Sequence, residues 1–340
     1  MADLKNSRYA VLISLVVLGL VFFPYIIGFQ SGGESYVFSG FLLNPLDGNS
    51  YLAKMYQGWD GNWRFHLPFT AEPGEGAYLF LFYLGLGHLA RVVDLPLVVV
   101  YHLARGMGAV FLLVSMWAFF GQLFQDERSR RLAFALASLG SGMGWLLVPF
   151  GAFTSDFWVA ETYPFLSMYA NPHFPIGLAL VLWLVKPGFE KTNKRRTGIY
   201  EAVVAFFLSV VNPFGVVVSL MVLGCFSVWL IYRKAPFEPV VKRALIVAGA
   251  GLPTLIYDIW VANTDPVFRT WNMQNLTPSP PVWDLIFSLS PALLLGGLGV
   301  FFGLKKNKSQ GNSGISLSIL WAGFGLLSLY LPFGLQRRFM

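Results

Sequence analysis

A long polar stretch near the start of the chain holds side chains suited to acid–base chemistry. Residues 30–75 follow the first apolar segment directly and carry five of the seventeen carboxylates of the chain. These are Glu34, Asp47, Asp60, Glu72 and Glu75. The stretch also supplies three nitrogen-bearing side chains, Lys54, Arg64 and His66. Its high aromatic content argues against disorder, so we expect it to fold as a cap and to carry the active site.

Two later polar stretches and the end of the chain supply further candidates. Residues 152–174 and 261–281 interrupt the apolar segments as residues 30–75 do. Outside the first stretch, the side chains expected to bind substrate are Arg105, Glu161, His173, Gln274, Arg337 and Arg338. The sequence has no Gly-x-Ser-x-Gly, His-Glu-x-x-His or Walker motif. Serine-hydrolase, zinc-protease and nucleoside-triphosphatase functions therefore have no motif support.

The side chains of these stretches suit the transfer of a sugar from a lipid phosphate to a hydroxyl group. The acceptor hydroxyl needs a base, and an aspartate with an ordinary pKa is ionised at neutral pH. The departing lipid phosphate needs no proton and is stabilised by arginine or lysine. One carboxylate with several cations is therefore enough, whereas a glycosidase needs two carboxylates flanking the bond.

Each candidate side chain also has a purely structural interpretation, which the sequence leaves open. Asp47 precedes a predicted helix and can act as its N-cap. Lys54 and the pair Arg337-Arg338 can reach lipid head groups. His173 can be a structural histidine with satisfied hydrogen bonds, and Glu72 can be a solvated loop acid.

The composition predicts a membrane protein. The chain has 340 residues, of which 56% are hydrophobic and only 12% charged, with a mean hydropathy of +0.60. Soluble domains carry about 25% charged residues. The net charge of +7 is spread over short loops, which favours contact with membrane lipids and argues against a nucleic-acid partner. The only cysteine, Cys225, excludes an internal disulfide.

Continuous apolar runs predict an all-α, polytopic transmembrane bundle with about eight or nine membrane segments, forming one membrane domain over residues 1–340. Residues 9–29 are uncharged and follow basic residues, which predicts an uncleaved first span with a cytoplasmic N-terminus. Residues 48–60 present an apolar face at helical spacing and predict a short interfacial helix. Residues 30–75 are accordingly expected to form a structured outer loop between the first two helices.

Basic loops set the predicted orientation of the bundle. Three segments rich in Lys and Arg mark the cytoplasmic side: residues 186–196, 233–243 and 305–308. The three polar stretches then share the outer face of the membrane. If the basic segment 125–131 is also cytoplasmic, an odd number of crossings must lie between residues 76 and 124, where the sequence predicts two helices. The topology of residues 76–131 therefore stays open.

Two local features modify the apolar runs. The run 198–232 is too long for one crossing, and Asn212-Pro213 is predicted to divide it into two helices. The small residues between Gly140 and Gly144 resemble a phosphate-binding glycine loop in composition alone. Within an apolar segment, we interpret them as sites of close helix packing.

The chain resembles the GT-C superfamily of polytopic glycosyltransferases, which use lipid-phosphate sugars. An N-terminal span followed by a long outer loop with an early aspartate is the shared feature. A closer resemblance, to a group of bacterial membrane proteins assigned to that superfamily, covers most of the chain. The segments that carry it are Asn44–Met55 (NPLDGNSYLAKM), Gly61–Glu72 (GNWRFHLPFTAE), Glu161–Phe165 (ETYPF), Asn171–Phe174 (NPHF), Trp271–Pro280 (WNMQNLTPSP) and Leu331–Arg338 (LPFGLQRR).

The resemblance implies a catalytic or metal-binding aspartate in the first outer loop, which Asp47 matches, and a later acidic partner, which Glu72 matches. It also implies a polyprenyl-phosphate sugar donor, a bacterial cell-membrane location and, as a cofactor, a divalent cation. Members often have two adjacent acids in this loop, whereas Gly48 follows Asp47 here. Members are usually longer, so we expect a C-terminally truncated chain. The side chains then expected to bind phosphate are Lys54, Arg105, Arg337 and Arg338.

A non-catalytic membrane protein is the alternative that the sequence leaves open. It would be a transporter of lipid-linked glycans, an assembly subunit or an inactive, truncated GT-C relative. A transporter is expected to have paired broken helices in two related halves. The sequence shows one clear break, at Asn212-Pro213, and no internal repeat.

Overall fold

The protein is all-helical throughout the part of the chain that the structure, a computed structural model, describes: residues 2–186, 194–306, 313–332 and 335–339. The helices of the first half are α1 (Ala2–Gln30), α2 (Pro45–Trp59), α3 (Leu81–Val93), α4 (Leu97–Leu123), α5 (Glu127–Leu139), α6 (Pro164–Ala170) and α7 (His173–Val185). Those of the second half are α8 (Lys194–Val211), α9 (Pro213–Tyr232), α10 (Glu238–Thr264), α11 (Pro266–Gln274), α12 (Val282–Ser288), α13 (Ala292–Lys306) and α14 (Ser313–Ser328). Short 3₁₀ turns lie at Gly144–Phe150, Ser155–Phe157 and Gln336–Phe339.

Several of these helices are long and apolar enough to cross a membrane. Within the described ranges there are five: Arg8–Gln30, Leu97–Leu123, Glu127–Phe150, Pro213–Tyr232 and Glu238–Thr264. A sixth arises if Val282–Ser288 and Ala292–Phe302, which are bent by 82°, form one broken span. Four further apolar helices are shorter. The prediction of a helical membrane protein is confirmed at this level. Parts of two predicted basic loops lie outside the described residues: residues 187–193 of the first and residues 307–308 of the second.

The predicted boundaries are confirmed where punctuation in the sequence is strong. The expected interfacial helix is α2, and Asn212 separates α8 from α9, whose first residue is Pro213. The expected span over residues 131–151 falls almost entirely within the candidate span Glu127–Phe150, but its helix is interrupted between the end of α5 and the turn that begins at Gly144. Small residues favour this interruption, because glycine costs about 1 kcal/mol in a helix interior relative to alanine.

The main core lies among α1, α4, α7, α8 and α9. Its fully buried leucines include Leu112 of α4, Leu208 of α8 and Leu223 of α9. A buried ion pair between Arg243 of α10 and Glu201 of α8 closes one end of this core. Arg243 also donates to the Leu184 carbonyl, so the pair fixes the end of α7 as well. Because both charges are satisfied, this cluster has a structural role.

Helix α2 is held against α3 by direct contact of the two backbones. A Cβ at Gly58 would overlap the Leu84 carbonyl, and a Cβ at Gly87 would overlap the Met55 carbonyl. Glycine at both positions therefore permits an approach that any side chain would prevent. Met55 and Leu84 are themselves completely buried in this contact.

Replacing Gly87 by alanine should lower the thermal unfolding midpoint of the purified protein, because the added methyl group has no space beside the Met55 carbonyl. Overpacking of this kind costs about 1–3 kcal/mol. Gly85→Ala on the same helix is the matched control, since no atom lies within 4 Å of a Cβ there. Its midpoint should stay the same or rise, because alanine favours helix. Equal midpoints for the two variants would contradict the close contact.

Candidate functional site

Tyr51, on the face of α2 that meets α3, is the centre of a polar and aromatic cluster. Its ring stacks on that of Tyr83 with centroids 4.3 Å apart and an interplanar angle of 13°. The His173 ring lies 5.2 Å from it. The Tyr83 hydroxyl and Nδ1 of His173 are joined by a hydrogen bond of 2.6 Å. The first residue of α7 is thereby fixed to α2 and α3, and we call this group the Tyr51 cluster.

Lys54 is a buried cation on the same face of α2. Its Nζ donates to Oγ of Ser50 at 2.6 Å. The ammonium also lies over three aromatic rings, those of Tyr51 at 4.9 Å, Phe80 at 4.5 Å and Phe65 at 5.5 Å. Burial lowers the pKa of Lys54 from 10.5 to about 8, against the opposing effect of the Asp47 charge. Within the described residues no carboxylate forms an ion pair with Lys54, so its charge suits an incoming anion.

The end of the described chain brings two arginines to the cluster. Nη1 of Arg338 donates to Oε1 of Glu161 at 3.0 Å. The Arg337 guanidinium lies 4.6 Å from the centre of the Trp158 ring, and its backbone N–H donates to the Thr277 carbonyl at 3.2 Å. Burial and the charge of Arg338 lower the pKa of Arg337, whereas Glu161 and Asp47 raise it. These opposing effects mean that both carboxylates lie near the arginine pair.

The pKa of the Tyr51 hydroxyl depends on several of the same charged groups. Burial raises the pKa of its hydroxyl, and the charge of Asp47 raises it further. Arg338 lowers that pKa, and Glu161 raises it. The groups that surround Tyr51 therefore come from α2, from the segment before α6, from the start of α7 and from the 3₁₀ turn at Gln336–Phe339.

Asp47 lies at the exposed edge of this cluster. It is in the first turn of α2, which begins at Pro45, and its Oδ2 accepts a 2.6 Å hydrogen bond from the Asn44 side chain. The N-cap position belongs to Asn44, so the interpretation of Asp47 as the cap is wrong. An exposed carboxylate beside a buried lysine and half-buried arginines can accept a proton from a hydroxyl group held near them.

Arg105 is buried in a different environment. Its Nη1 donates to the carbonyls of Met168 and Tyr169, at 3.2 and 2.8 Å, which are the last turn of α6. The guanidinium also lies 3.9 Å from the centre of the Tyr25 ring. Arginine at a helix C-terminus satisfies carbonyls that lack helical partners. Arg105 therefore positions the connection between α6 and α7, which carries His173.

The remaining predicted site residues lie outside the Tyr51 cluster. Arg64 packs over the Tyr78 ring and lines a separate cleft of about 470 Å³ beside α10. The backbone of His66 exchanges two hydrogen bonds with the Gln57 side chain. Glu72 is exposed, with its N–H bonded to Thr70, and Gln274 is exposed at the end of α11. Among the described residues, no hydrogen bond, ion pair or ring contact joins any of these four side chains to Tyr51.

The tyrosines are the part of the site that the sequence analysis missed. Tyr51, Tyr83 and Tyr101 form a connected series of rings, and the Tyr101 hydroxyl donates to Oδ1 of Asn171 at 2.5 Å. One signal was available, because Tyr51 lies four residues after Asp47 and three before Lys54. This spacing places all three on one helical face.

Metal binding at Asp47 has no further protein ligands in the described part of the chain. No group of three or more His, Cys, Asp or Glu side chains gathers there. Comparisons with protein-family models, curated proteins and solved structures find no match to this chain. We therefore infer the function from the chemistry of the Tyr51 cluster.

Deprotonation of Lys54 should make the protein more stable between about pH 8 and pH 10.5. Its pKa is about 8 in the folded protein and 10.5 when unperturbed, so the unfolded chain binds the additional proton in this interval. The native protein should therefore gain stability relative to Lys54→Met, by on the order of 3 kcal/mol across the interval. Thermal midpoints of both proteins from pH 7 to 11 measure this difference. Parallel profiles would show that the pKa of Lys54 is unperturbed.

Proposed function

We propose that this protein is a GT-C-like membrane glycosyltransferase, which transfers a sugar from a polyprenyl-phosphate donor to an acceptor hydroxyl group. The observation that carries the proposal is the convergence of Asp47, Lys54 and Arg338 around Tyr51, with Arg337 close to Arg338 and Asp47. A base next to a phosphate-binding set of cations is what this reaction needs. The uncompensated charge of Lys54 supports an anionic ligand at this place.

Each group of the cluster has a defined role in the proposed reaction. Asp47 accepts the proton of the acceptor hydroxyl, whose oxygen forms the new bond to the anomeric carbon of the sugar. The bond between that carbon and the phosphate oxygen breaks, and the electron pair leaves with the phosphate. Lys54 and Arg338 stabilise the charge of the departing phosphate, while Glu161 orients the Arg338 guanidinium.

The membrane arrangement belongs to the same proposal. The N-terminus lies in the cytoplasm of a bacterial cell, and the Tyr51 cluster faces the outer side of the cell membrane. The shorter apolar helices complete a bundle of eight or nine membrane segments together with the long ones. The polyprenyl chain of the donor then lies among membrane lipids, with its phosphate at the depth of Lys54.

A transporter of lipid-linked glycans is the second candidate function. Two interrupted helical stretches favour it, one between α5 and Gly144 and the other between α12 and α13. Broken helices surround substrate sites in many transporters. Movement of a fluorescent lipid-linked glycan across vesicles that contain the purified protein, without sugar transfer, would favour this candidate over the transferase.

Asp47→Asn should reduce sugar transfer by about 10²–10⁴-fold, the usual contribution of a general base. The assay uses the purified protein in lipid with a mixed pool of polyprenyl-phosphate sugars. Asp60→Asn, at the exposed end of the same helix, is the matched control and should keep full activity. Transfer that survives in a folded Asp47→Asn protein would exclude Asp47 as the base. Glu72→Gln then tests the other predicted carboxylate.

Arg338→Gln should raise the KM for the lipid-phosphate donor by about 10- to 100-fold, because a charge-assisted hydrogen bond to the phosphate is lost. The KM for the acceptor should change little. Arg128→Gln removes an exposed arginine of α5 and is the control. An unchanged donor KM in Arg338→Gln would exclude this arginine from the phosphate site.

A further inference from the structure

A second polar site lies where the two interrupted helical stretches meet. The backbone N–H of Met143, between α5 and the turn Gly144–Phe150, donates to the Phe287 carbonyl at 2.9 Å. Phe287 is in the last turn of α12, immediately before the 82° bend to α13. The two breaks are therefore joined directly to each other, and backbone carbonyls that a continuous helix would use internally are available at this junction.

Two buried carboxylates lie beside this junction. Asp156 is 7% exposed and Asp284 is 6% exposed. The Asp156 carboxylate accepts from the Thr154 hydroxyl at 2.6 Å and from the Gly144 N–H at 3.0 Å. The Asp284 carboxylate accepts from the Ser155 N–H at 2.9 Å. Ser155 and Asp156 are consecutive, so the two acids belong to one site.

Neither carboxylate has a cationic partner among the residues that the structure describes. The ion pairs among the described residues involve other acids, Glu127, Glu161 and Glu201. Neutral hydrogen-bond donors alone meet Asp156 and Asp284. Two uncompensated negative charges in a buried site are unfavourable unless a positive charge lies between them.

Two buried hydroxyl groups provide independent evidence for a ligand. Ser155 is completely buried and Tyr163 is 8% exposed, yet neither hydroxyl has a hydrogen-bond partner in the described part of the chain. Most buried polar atoms are paired in folded proteins. Burial and, after it, the charges of Asp156 and Asp284 raise the pKa of Tyr163, so its hydroxyl lies near both carboxylates without being bonded to either.

The glycines of the Gly140–Gly144 segment shape the same site. A Cβ at Gly142 would overlap both the Asp156 carboxylate and the Ser288 carbonyl, and a Cβ at Gly144 would overlap Asp156 and Thr154. Glycine there lets the backbone enclose the Asp156 side chain and brings the Ser288 carbonyl next to it. All of these groups present oxygen, which is the ligand atom that hard cations prefer.

We propose that Asp156 and Asp284 bind a divalent cation at this junction, with the hydroxyls of Ser155 and Tyr163 and the carbonyl of Ser288 as further oxygen ligands. Two carboxylates balance the charge of such an ion. The mixture of side-chain and backbone oxygens suits Ca²⁺, which accepts irregular shells of six to eight ligands, better than Mg²⁺, which needs a near-octahedral shell.

The cation would fasten the loop after Gly151 to α12. That loop continues through Trp158 to Glu161, which contact Arg337 and Arg338. The segment before α12 contains Thr277, which accepts the Arg337 backbone N–H. The two segments that contact Arg337 and Arg338 are therefore both connected to the cation site. The ion would position the arginine pair through these segments.

Calcium titration of the full chain in a non-ionic detergent, after treatment with a chelator, tests the proposal. Ca²⁺ should raise the thermal midpoint by several degrees in a saturable manner, since a ligand that binds the folded state stabilises it. Asp156→Asn and Asp284→Asn should lose this increase. Asp60→Asn, which removes an exposed carboxylate from α2, should retain it. An absent increase in the native protein, or an equal one in both site variants, would overturn the proposal.

Terbium luminescence provides a second measurement that works on the native protein. Tb³⁺ replaces Ca²⁺ at oxygen-rich sites, and Tyr163 and Trp158 are close enough to sensitise its emission. Emission should appear at one equivalent and should be displaced by Ca²⁺. Tyr163→Phe keeps both carboxylates and should weaken Ca²⁺ affinity about tenfold. Emission that Ca²⁺ does not displace would count against the site, and neither measurement depends on sugar transfer.

Discussion

The close backbone contact between α2 and α3 is the constraint on which the Tyr51 cluster depends. Gly58 and Gly87 allow the helices to approach until backbone atoms touch. At that separation the Tyr51 and Tyr83 rings stack, and Lys54 is enclosed by aromatic rings. A wider crossing would admit water between the helices and restore an ordinary lysine pKa. The Tyr51 cluster therefore depends on the absence of side chains at Gly58 and Gly87.

The three buried cations of the described residues, Lys54, Arg105 and Arg243, differ in the groups that stabilise their charge. Arg243 has a carboxylate partner, Glu201. Arg105 has the carbonyls at the end of α6. Lys54 has aromatic rings and the Ser50 hydroxyl, which stabilise an ammonium much less than a carboxylate does. Arg105 also lacks a carboxylate partner, but backbone carbonyls accept from its guanidinium, so Lys54 is the buried cation whose charge we interpret as available to an anionic ligand.

Hydropathy and punctuation were enough to predict most of the apolar helices and the break at Asn212-Pro213, because both depend on short-range properties of the chain. They did not predict α6, α11 or the interruption after α5. Long-range contacts bring only some of the predicted site residues together. Asp47 and Lys54 share a helical face and stay together, whereas Glu72 follows them closely in sequence and lies apart. Arg338 reaches Glu161 across 177 positions, and no spacing rule encodes such a pairing. The predicted pairing of Asp47 with Glu72 depended on their proximity in sequence, and no contact among the described residues tests it.

The small residues at Gly140–Gly144 show how one pattern can serve packing and polar chemistry together. We interpreted them as sites of close helix approach, and close approach is what they permit. The partner that approaches, however, is the Asp156 side chain together with the end of α12. A helix that continued through this segment would use its own carbonyls and would leave no space for a buried carboxylate. The interruption therefore makes a polar site possible within an apolar stretch. The loop that contains Asp156 continues to Glu161, so the position of Glu161 depends on this site.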